Sequence, residues 1–286
     1  MIKKSLIVTI FNEENVIGTF LNSISLQETI PDEVVIVDGG SFDGTKKVVS
    51  DYIRNNTSKI RFRFYIKKGN RSVGRNEAIK KAKGDVILIT DAGCVLDKNW
   101  VKNITKPFQD QRVDVVAGYY RAKAKTIFQK CLAPYVLVMP DKVDPDNFLP
   151  ATRSMAIRKN VWKEMGGFDE RYSHNEDYVF ANKLKEKGKK IVFRKNAIVY
   201  WIPRSTFKEA YTMFRRFAYG DIEAGIVRDK VLLLFARYTL LFYLLLYFSF
   251  SKSIILSSII LGGIILYITY SIKKNMKYVK NLNGLY

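Results

Sequence analysis

Short apolar runs alternate with amphipathic stretches through the first part of this chain. Residues 5–10, 34–37, 61–66, 86–90 and 113–117 read as strands, and segments 16–24, 45–54, 72–82 and 99–108 read as helices. Strands that alternate with helices imply right-handed crossovers and a mostly parallel sheet. The alternation lapses after Gly118. Segment 119–149 contains Pro134, Pro140 and Pro145, with Pro150 just beyond, and prolines break helices; it is expected to wrap around the sheet or to reach a membrane. Further on, 152–157, 190–193 and 198–200 read as strands, and 159–165 and 178–187 as helices, the second stopped by Gly188. Residues 207–219 form an aromatic and basic helix of the kind that lies on lipid headgroups.

The C-terminal pattern is different. Residues 231–250 are almost wholly apolar apart from Arg237, and 254–272 are uncharged up to Lys273 and Lys274. At about 1.5 Å per residue, each run is as long as the roughly 30 Å hydrocarbon core of a bilayer. No polar stripe at helical period interrupts the second run, so a two-helix transmembrane hairpin is expected rather than a buried pair. Arg237 is near enough to the polar flank for its side chain to reach the interface. Arg228, Lys230, Lys273, Lys274, Lys277 and Lys280 lie at the outer ends, against Lys252 at the tip. The positive-inside rule then places the large N-terminal domain in the cytoplasm. No signal-peptide pattern precedes the first strand. The expectation is a multi-pass protein of the cell membrane with three parts: an α/β domain at 1–205, an interfacial region at 206–228, and the hairpin with its basic tail at 229–286.

Across 286 residues, 48 Lys and Arg stand against 27 Asp and Glu, a formal charge of +21. Such an excess attracts polyanions: nucleic acid, anionic lipid or diphosphates. Beside a hairpin, lipid is the expected target. No nucleic-acid module is visible, so no nucleic-acid partner is expected. Cys94 and Cys131 stand alone, which suits a reducing compartment and argues against a disulfide framework or a zinc site.

Three acidic clusters appear in order along the chain, and the first two directly follow predicted strands. Asp38-Gly39-Gly40-Ser41-Phe42-Asp43-Gly44-Thr45 ends a strand and opens a helix. Its glycines permit a tight turn, the helix start offers free amides to phosphate, and the acid can take a base edge or a ribose hydroxyl. A capped turn would use much the same residues. Asp91-Ala92-Gly93 also ends a strand, where one carboxylate can hold Mg²⁺ or Mn²⁺ while a diphosphate supplies further oxygens; a plain turn is the alternative. Arg71 and Arg75 can reach the same phosphates or be simple surface charge. Glu176 and Asp177 sit at a helix start, where acids also favour the dipole. His174, the only histidine, precedes them and is a candidate on the acceptor side.

Six segments in order resemble the family 2 glycosyltransferases, whose catalytic domain has the nucleotide-binding fold called GT-A. They are Thr9-Ile10-Phe11-Asn12-Glu13-Glu14, residues 38–45, Arg75-Asn76-Glu77-Ala78, Thr90-Asp91-Ala92-Gly93, Gly166-Gly167-Phe168-Asp169-Glu170 and Glu176-Asp177. Together they span about residues 1–200. The resemblance implies an inverting transfer from a nucleotide sugar. It puts Phe11, Glu13, Asp38, Ser41, Arg71, Arg75 and Asp91 on the donor side, with Asp91 the metal ligand. It implies that Asp177 is the general base, flanked by Glu176, and that Ser154 lies near the acceptor rim.

Two departures stand out. Members usually carry Asp-x-Asp where this chain has Asp91-Ala92-Gly93, and some carry a histidine near the position of Trp201. Arg204, Arg215 or Arg216 can share the neutralisation of phosphate, and the last two can equally anchor a membrane surface. The expected acceptor is a polyprenyl phosphate or another lipid-linked or membrane-proximal group. A nucleotidyltransferase is the rival enzyme, although the acidic Phe11-Asn12-Glu13-Glu14 replaces the basic glycine-rich loop it would need. A degenerate nucleotide-sugar-binding scaffold is the rival without turnover.

Overall fold

The central strands are apolar on both faces because helices cover both. The computed structural model describes residues 2–227, 229–251 and 254–281; Arg228 and Lys252, which figured in the charge argument, lie outside them. Its strands are β1 Lys4–Ile10, β2 Glu33–Asp38, β3 Arg61–Ile66, β4 Val86–Ile89, β5 Cys94–Leu96, β6 Val115–Ala122, β7 Met155–Arg158 and β8 Ile191–Trp201. They form one sheet in the order β3-β2-β1-β4-β7-β6-β8-β5. Leu6 and Val8 of β1 join Val34 and Ile36 of β2 in one core, whereas Ile7, Val35 and Val37 point into the other. This two-sided burial is why these strands read as continuous apolar runs.

The helices are α1 Ile17–Ser25, α2 Thr45–Arg54, α3 Arg71–Lys81, α4 Trp100–Thr105, α5 Ile127–Val136, α6 Lys159–Glu164, α7 Glu176–Glu186, α8 Phe207–Glu223, α9 Asp229–Ser251 and α10 Ile254–Asn281. Buried residues of α1, α4, α5 and α8 belong to the first core, and those of α3, α6 and α7 to the second. Helix α3 can lie close against β1 because residue 74 is glycine: a Cβ there would stand 2.8 Å from Thr9 Cγ2.

The sheet is mixed, which corrects the expectation of a mostly parallel one. β1 pairs in parallel with β2 and β4, and β2 with β3. β7 runs antiparallel to both β4 and β6, and β5 antiparallel to β8. The reason lies in the connections. A parallel neighbour needs a crossover, whereas β7 is entered from the long excursion of residues 123–154, which brings the chain back in the opposite direction. The two short strands expected at 190–193 and 198–200 are one. β8 pairs with β6 along its length, and a register jump sets Gly118 opposite Arg194 but Tyr119 opposite Ile198.

The excursion also contains α5, which was not expected. Thr126 caps it in a reciprocal box with Gln129, and Pro134 sits inside its last turns, where its ring offers no N–H to the helix ladder, and the helix ends two residues later at Val136.

The transmembrane hairpin is the second correction. Among the described residues no helix is long and apolar enough to cross a membrane, so the two-span, multi-pass localisation is overturned. Helix α10 does not stop at Ile272 but continues through Lys273, Lys274 and Lys277. Its last turns dock on the α/β domain: Tyr278 is buried and its hydroxyl donates to Asp141 Oδ2 at 3.0 Å, beside the Lys277–Asp141 ion pair. Asn275 Nδ2 donates to the Tyr135 hydroxyl at 3.0 Å. Arg237 of α9 lies over the rings of Tyr238 and Tyr267, at 5.1 and 4.7 Å, and so has a partner within the helix pair.

Candidate active site

The C-terminal ends of β1, β2 and β4 lie side by side, and the loops that follow them line one crevice. The β1–α1 and β2–α2 loops are zipped together by polar bonds. Asn12 N donates to Ser41 Oγ at 2.9 Å, Glu13 N to Thr45 Oγ1 at 2.8 Å, and Gly44 N to Glu14 Oε2 at 2.9 Å. Ser41 and Thr45 are therefore committed to the loop scaffold.

Asp38 ends β2 and is fully buried. Its Oδ1 accepts from the amides of Gly40 and Ser41, both at 2.7 Å. Gly40 makes that turn with φ +103°, a conformation costly for any side chain. Asp38 Oδ2 has no partner. A buried acceptor left unpaired costs about 1–3 kcal/mol, so this oxygen marks a position where a donor group from a ligand would be stabilising. In the two loops that flank this turn, Phe11 and Phe42 are 53% and 84% exposed, with rings edge to face at 6.0 Å.

A buried arginine organises the acids. Arg75, from the middle of α3, is 2% exposed. Its Nη1 donates to Glu176 Oε1, and its Nη2 to Asp91 Oδ1 at 2.9 Å. One guanidinium thus ties the end of β4 to the start of α7, with the Phe168 ring 5.8 Å away. Glu176 is as buried as its partner, but the Asp91 side chain remains 37% exposed to the crevice. Burial pushes the Asp91 carboxyl up, yet Arg75, Arg71 and Arg153 together outweigh it and hold the group below its usual range. Asp91 is ionised.

Asp177 follows Glu176 in the first turn of α7, entered through Asn175 in the left-handed conformation with φ +57°. Its Oδ2 accepts from Thr152 N at 3.3 Å and Thr152 Oγ1 at 3.4 Å. Burial and the neighbouring Glu176 charge raise its pKa above the ordinary aspartate value, against the opposing pull of Arg75. Glu13 is likewise raised, by burial, although Arg204 and Arg71 act against it. Asp91 and Asp177, which both feel Arg75 and Arg153, are therefore tuned apart: Asp91 toward the anion, Asp177 toward holding a proton.

The remaining candidates fall into three groups. Arg71, exposed at the start of α3, acts on Asp91, Glu13 and His174, and Arg204 acts on Glu13. His174 pairs with the Ser173 hydroxyl at 2.9 Å, and burial followed by Arg71 lowers its pKa; Arg216 acts on it too. Arg215 is turned to its own helix, 3.3 Å from the Tyr219 hydroxyl. Ser154 lies inside the core rather than at a rim. It is 1% exposed, accepts from Trp100 Nε1 at 2.8 Å and donates to the Ala197 carbonyl at 3.1 Å.

One residue of the crevice was not singled out from sequence. Arg153 precedes β7, and its guanidinium lies 5.5 Å from the Tyr120 ring and 5.4 Å from the Trp201 ring. It acts on Asp91 and Asp177 alike. Among the described residues no three side chains of metal-ligating type converge. Asp91 offers one carboxylate, which fits a hard cation only where a substrate diphosphate and waters complete the shell.

An α/β domain with strand-end acids around a buried arginine, open at the carboxyl edge of its parallel strands, has the layout of a nucleotide-binding fold, whose ligands sit outside those strand ends. Comparison with known proteins narrows this. Residues 5–158 match glycosyl transferase family 2, and residues 86–278 match glycosyl transferase family group 2. The chain belongs to glycosyl transferase family 2 and is a glycosyltransferase with the GT-A fold. It is 26% identical over 231 residues to the O-antigen chain rhamnosyltransferase RfbN of Salmonella typhimurium, covering 73% of this chain and 70% of that one. Glycosyltransferase AglE of Haloferax volcanii is 22% identical, with 79% and 75% covered. Among solved structures, the mannosyltransferase PcManGT of Pyrobaculum calidifontis, in complex with GDP-Man and Mn²⁺, superposes with a TM-score of 0.70 at 18% identity over 99% of this chain and 86% of its own. Staphylococcus aureus TarS 1–349 with UDP-GlcNAc gives 0.57 at 22% identity, covering 77% of this chain and 66% of TarS 1–349.

Proposed function

We propose that this glycosyltransferase moves one sugar, with inversion, from a nucleoside-diphosphate sugar to a hydroxyl of an unfinished lipid-linked or surface glycan. The observation that carries the reading is the Arg75 clamp, which brings ionised Asp91 and the Glu176-Asp177 pair to one crevice. In the proposed assignment, Asp38 Oδ2 takes a hydrogen bond from the base or ribose, and the exposed faces of Phe11 and Phe42 flank the base. Asp177 accepts the acceptor's proton as its oxygen attacks the anomeric carbon. The new C–O bond forms while the bond to the diphosphate breaks, and the nucleoside diphosphate leaves. A base with a raised pKa suits this task, since general-base efficiency is greatest when its pKa approaches the working pH.

Asp91 would hold Mg²⁺ or Mn²⁺, which when bound supplies positive charge to the departing diphosphate. Arg71 and Arg204 stand on the donor side and orient that diphosphate. Relatives that act on an O-antigen chain or on poly(ribitol phosphate) motivate the glycan acceptor.

The test is release of nucleoside diphosphate from a panel of nucleotide sugars with a crude glycolipid extract, in Mg²⁺, in Mn²⁺ and in chelator. Turnover of one donor, lost in both Asp91→Asn and Asp177→Asn, is expected. Undiminished turnover in Asp177→Asn would remove the assignment of the base.

A further inference from the structure

We infer that Arg153 is a diphosphate-binding residue of the donor site, resting on the function proposed above. Three observations lead there. The first is position. β4 and β7 are antiparallel with Ile89 opposite Met155, and continuing that register by two residues sets Asp91 opposite Arg153. The Thr90 hydroxyl, donating to the Arg153 carbonyl at 2.8 Å, fixes the backbone just where the pairing ends. Arg153 therefore stands beside the acid that faces the diphosphate, on the flank toward Asp177, since its charge is felt by both.

The second is support. Tyr120, near the end of β6, and Trp201, closing β8, present their rings to the guanidinium at 5.5 and 5.4 Å. Tyr120 and Trp201 are themselves buried, at 9% and 7% exposure. A guanidinium positioned by two fixed rings is preorganised and loses little freedom when it meets an anion.

The third is availability. Arg75, the other guanidinium at Asp91, is consumed by Glu176 and Asp91. Arg153 is in no salt bridge with a carboxylate among the described residues; its recorded partners are the two rings and the Thr90 hydroxyl on its backbone. Its planar fork is thus left to receive two oxygens of a phosphate group. The chemistry fits the departing diphosphate of the donor: charge that develops there as the bond to the sugar breaks would meet a fixed cation beside Asp91-Ala92-Gly93, which offers one carboxylate. An anionic acceptor has the same chemistry, and the experiment separates the two sources.

Binding of UDP, GDP and dTDP to the full chain is measured beside the matching monophosphates, together with the acceptor KM in turnover with a glycolipid extract, for wild type, Arg153→Lys and Arg153→Met, in Mg²⁺ and in chelator. Thermal unfolding of each variant verifies the fold. For the diphosphate that wild type prefers, Arg153→Met should bind about 10- to 100-fold more weakly, the scale of a charge-assisted bidentate contact. The monophosphate should change by less than about threefold, and Arg153→Lys should recover part of the loss. Equal diphosphate affinity in wild type and Arg153→Met overturns the inference, including the case where only the acceptor KM rises, which moves the contact to the acceptor. Equal loss of mono- and diphosphate also overturns it, because a merely structural role would do that. Failure of wild type to bind any nucleoside diphosphate overturns the functional reading itself and this inference with it.

Discussion

Asp177→Asn should abolish most turnover while making the protein harder to unfold at neutral pH. The two effects share one cause. Burial and the adjacent Glu176 charge raise the Asp177 pKa, so the ionised carboxylate required of a base is held in a place that disfavours it. Removing a general base typically costs 10²- to 10⁴-fold, or about 2.7–5.4 kcal/mol of activation free energy at 1.36 kcal/mol per tenfold. The stability effect has the opposite sign. A carboxyl with a raised native pKa binds its proton more tightly folded than unfolded. Its contribution is favourable below the unfolded value, near 3.9, and is lost as pH rises through the native value. At pH 7 ionised Asp177 therefore weighs against the fold, on a scale of about 1.4 kcal/mol for each unit of perturbation. Asparagine removes that burden, and its carbonyl oxygen can still accept from Thr152 N and Oγ1.

Urea unfolding of wild type and Asp177→Asn at pH 7 and at pH 4 measures the difference, which should favour the variant at pH 7 and shrink toward pH 4. The kcat/KM profile of wild type should fall on its acid side at a pH above the ordinary aspartate value. A variant within about threefold of wild-type turnover would refute the reasoning. So would a variant less stable at pH 7 combined with an acid limb at the ordinary aspartate position.

Arg75→Met should destabilise by about 3–5 kcal/mol in urea unfolding, because it leaves buried Glu176 without its counter-charge; adding Glu176→Leu should restore much of the stability and none of the activity. Ser154→Ala should cost about 1–3 kcal/mol by orphaning the Trp100 indole N–H, while kcat/KM stays within about twofold, because the hydroxyl is spent in the core rather than offered to an acceptor.

Much of the scaffold was legible because the local signals agreed. β3 and α2 fall on the expected residues 61–66 and 45–54, and β1, β2 and β4 are short strands buried on both faces, with edge strand β3 half-buried beside them. What failed was long-range. Nothing in the sequence around β7 tells its direction, since antiparallel and parallel strands buried on both faces share one apolar pattern. The Thr126-x-x-Gln129 capping box was a local signal for α5, obscured by Pro134.

The C-terminal runs misled for another reason. Apolar length alone cannot distinguish a bilayer span from a helix whose own last turns carry Lys273, Lys274 and Lys277 and dock through Tyr278. Within the crevice, Asp38 and Asp91 were readable as strand-end acids. The burial of Arg75 and the ring-held Arg153 were not, because an arginine's partners in this crevice come from distant segments: Glu176 for Arg75, Tyr120 and Trp201 for Arg153.

The single acid at Asp91-Ala92-Gly93 can be tested by adding the missing one. A Cβ built at Gly93 meets nothing within 4 Å, so Gly93→Asp adds its first side-chain atom into open space. Affinity of an oxygen site for a hard cation follows the number of its charged ligands, so a second carboxylate should lower the Mg²⁺ or Mn²⁺ concentration for half-maximal turnover by roughly tenfold, about 1.4 kcal/mol. In chelator the same substitution should weaken nucleoside-diphosphate binding, because the new charge then opposes the phosphates with nothing between them. If the arginines of this crevice carry the neutralisation without a metal, only the second effect will be seen, at every metal concentration. That result would refute Asp91 as a metal ligand and leave Arg71, Arg153 and Arg204 as the groups that meet the diphosphate.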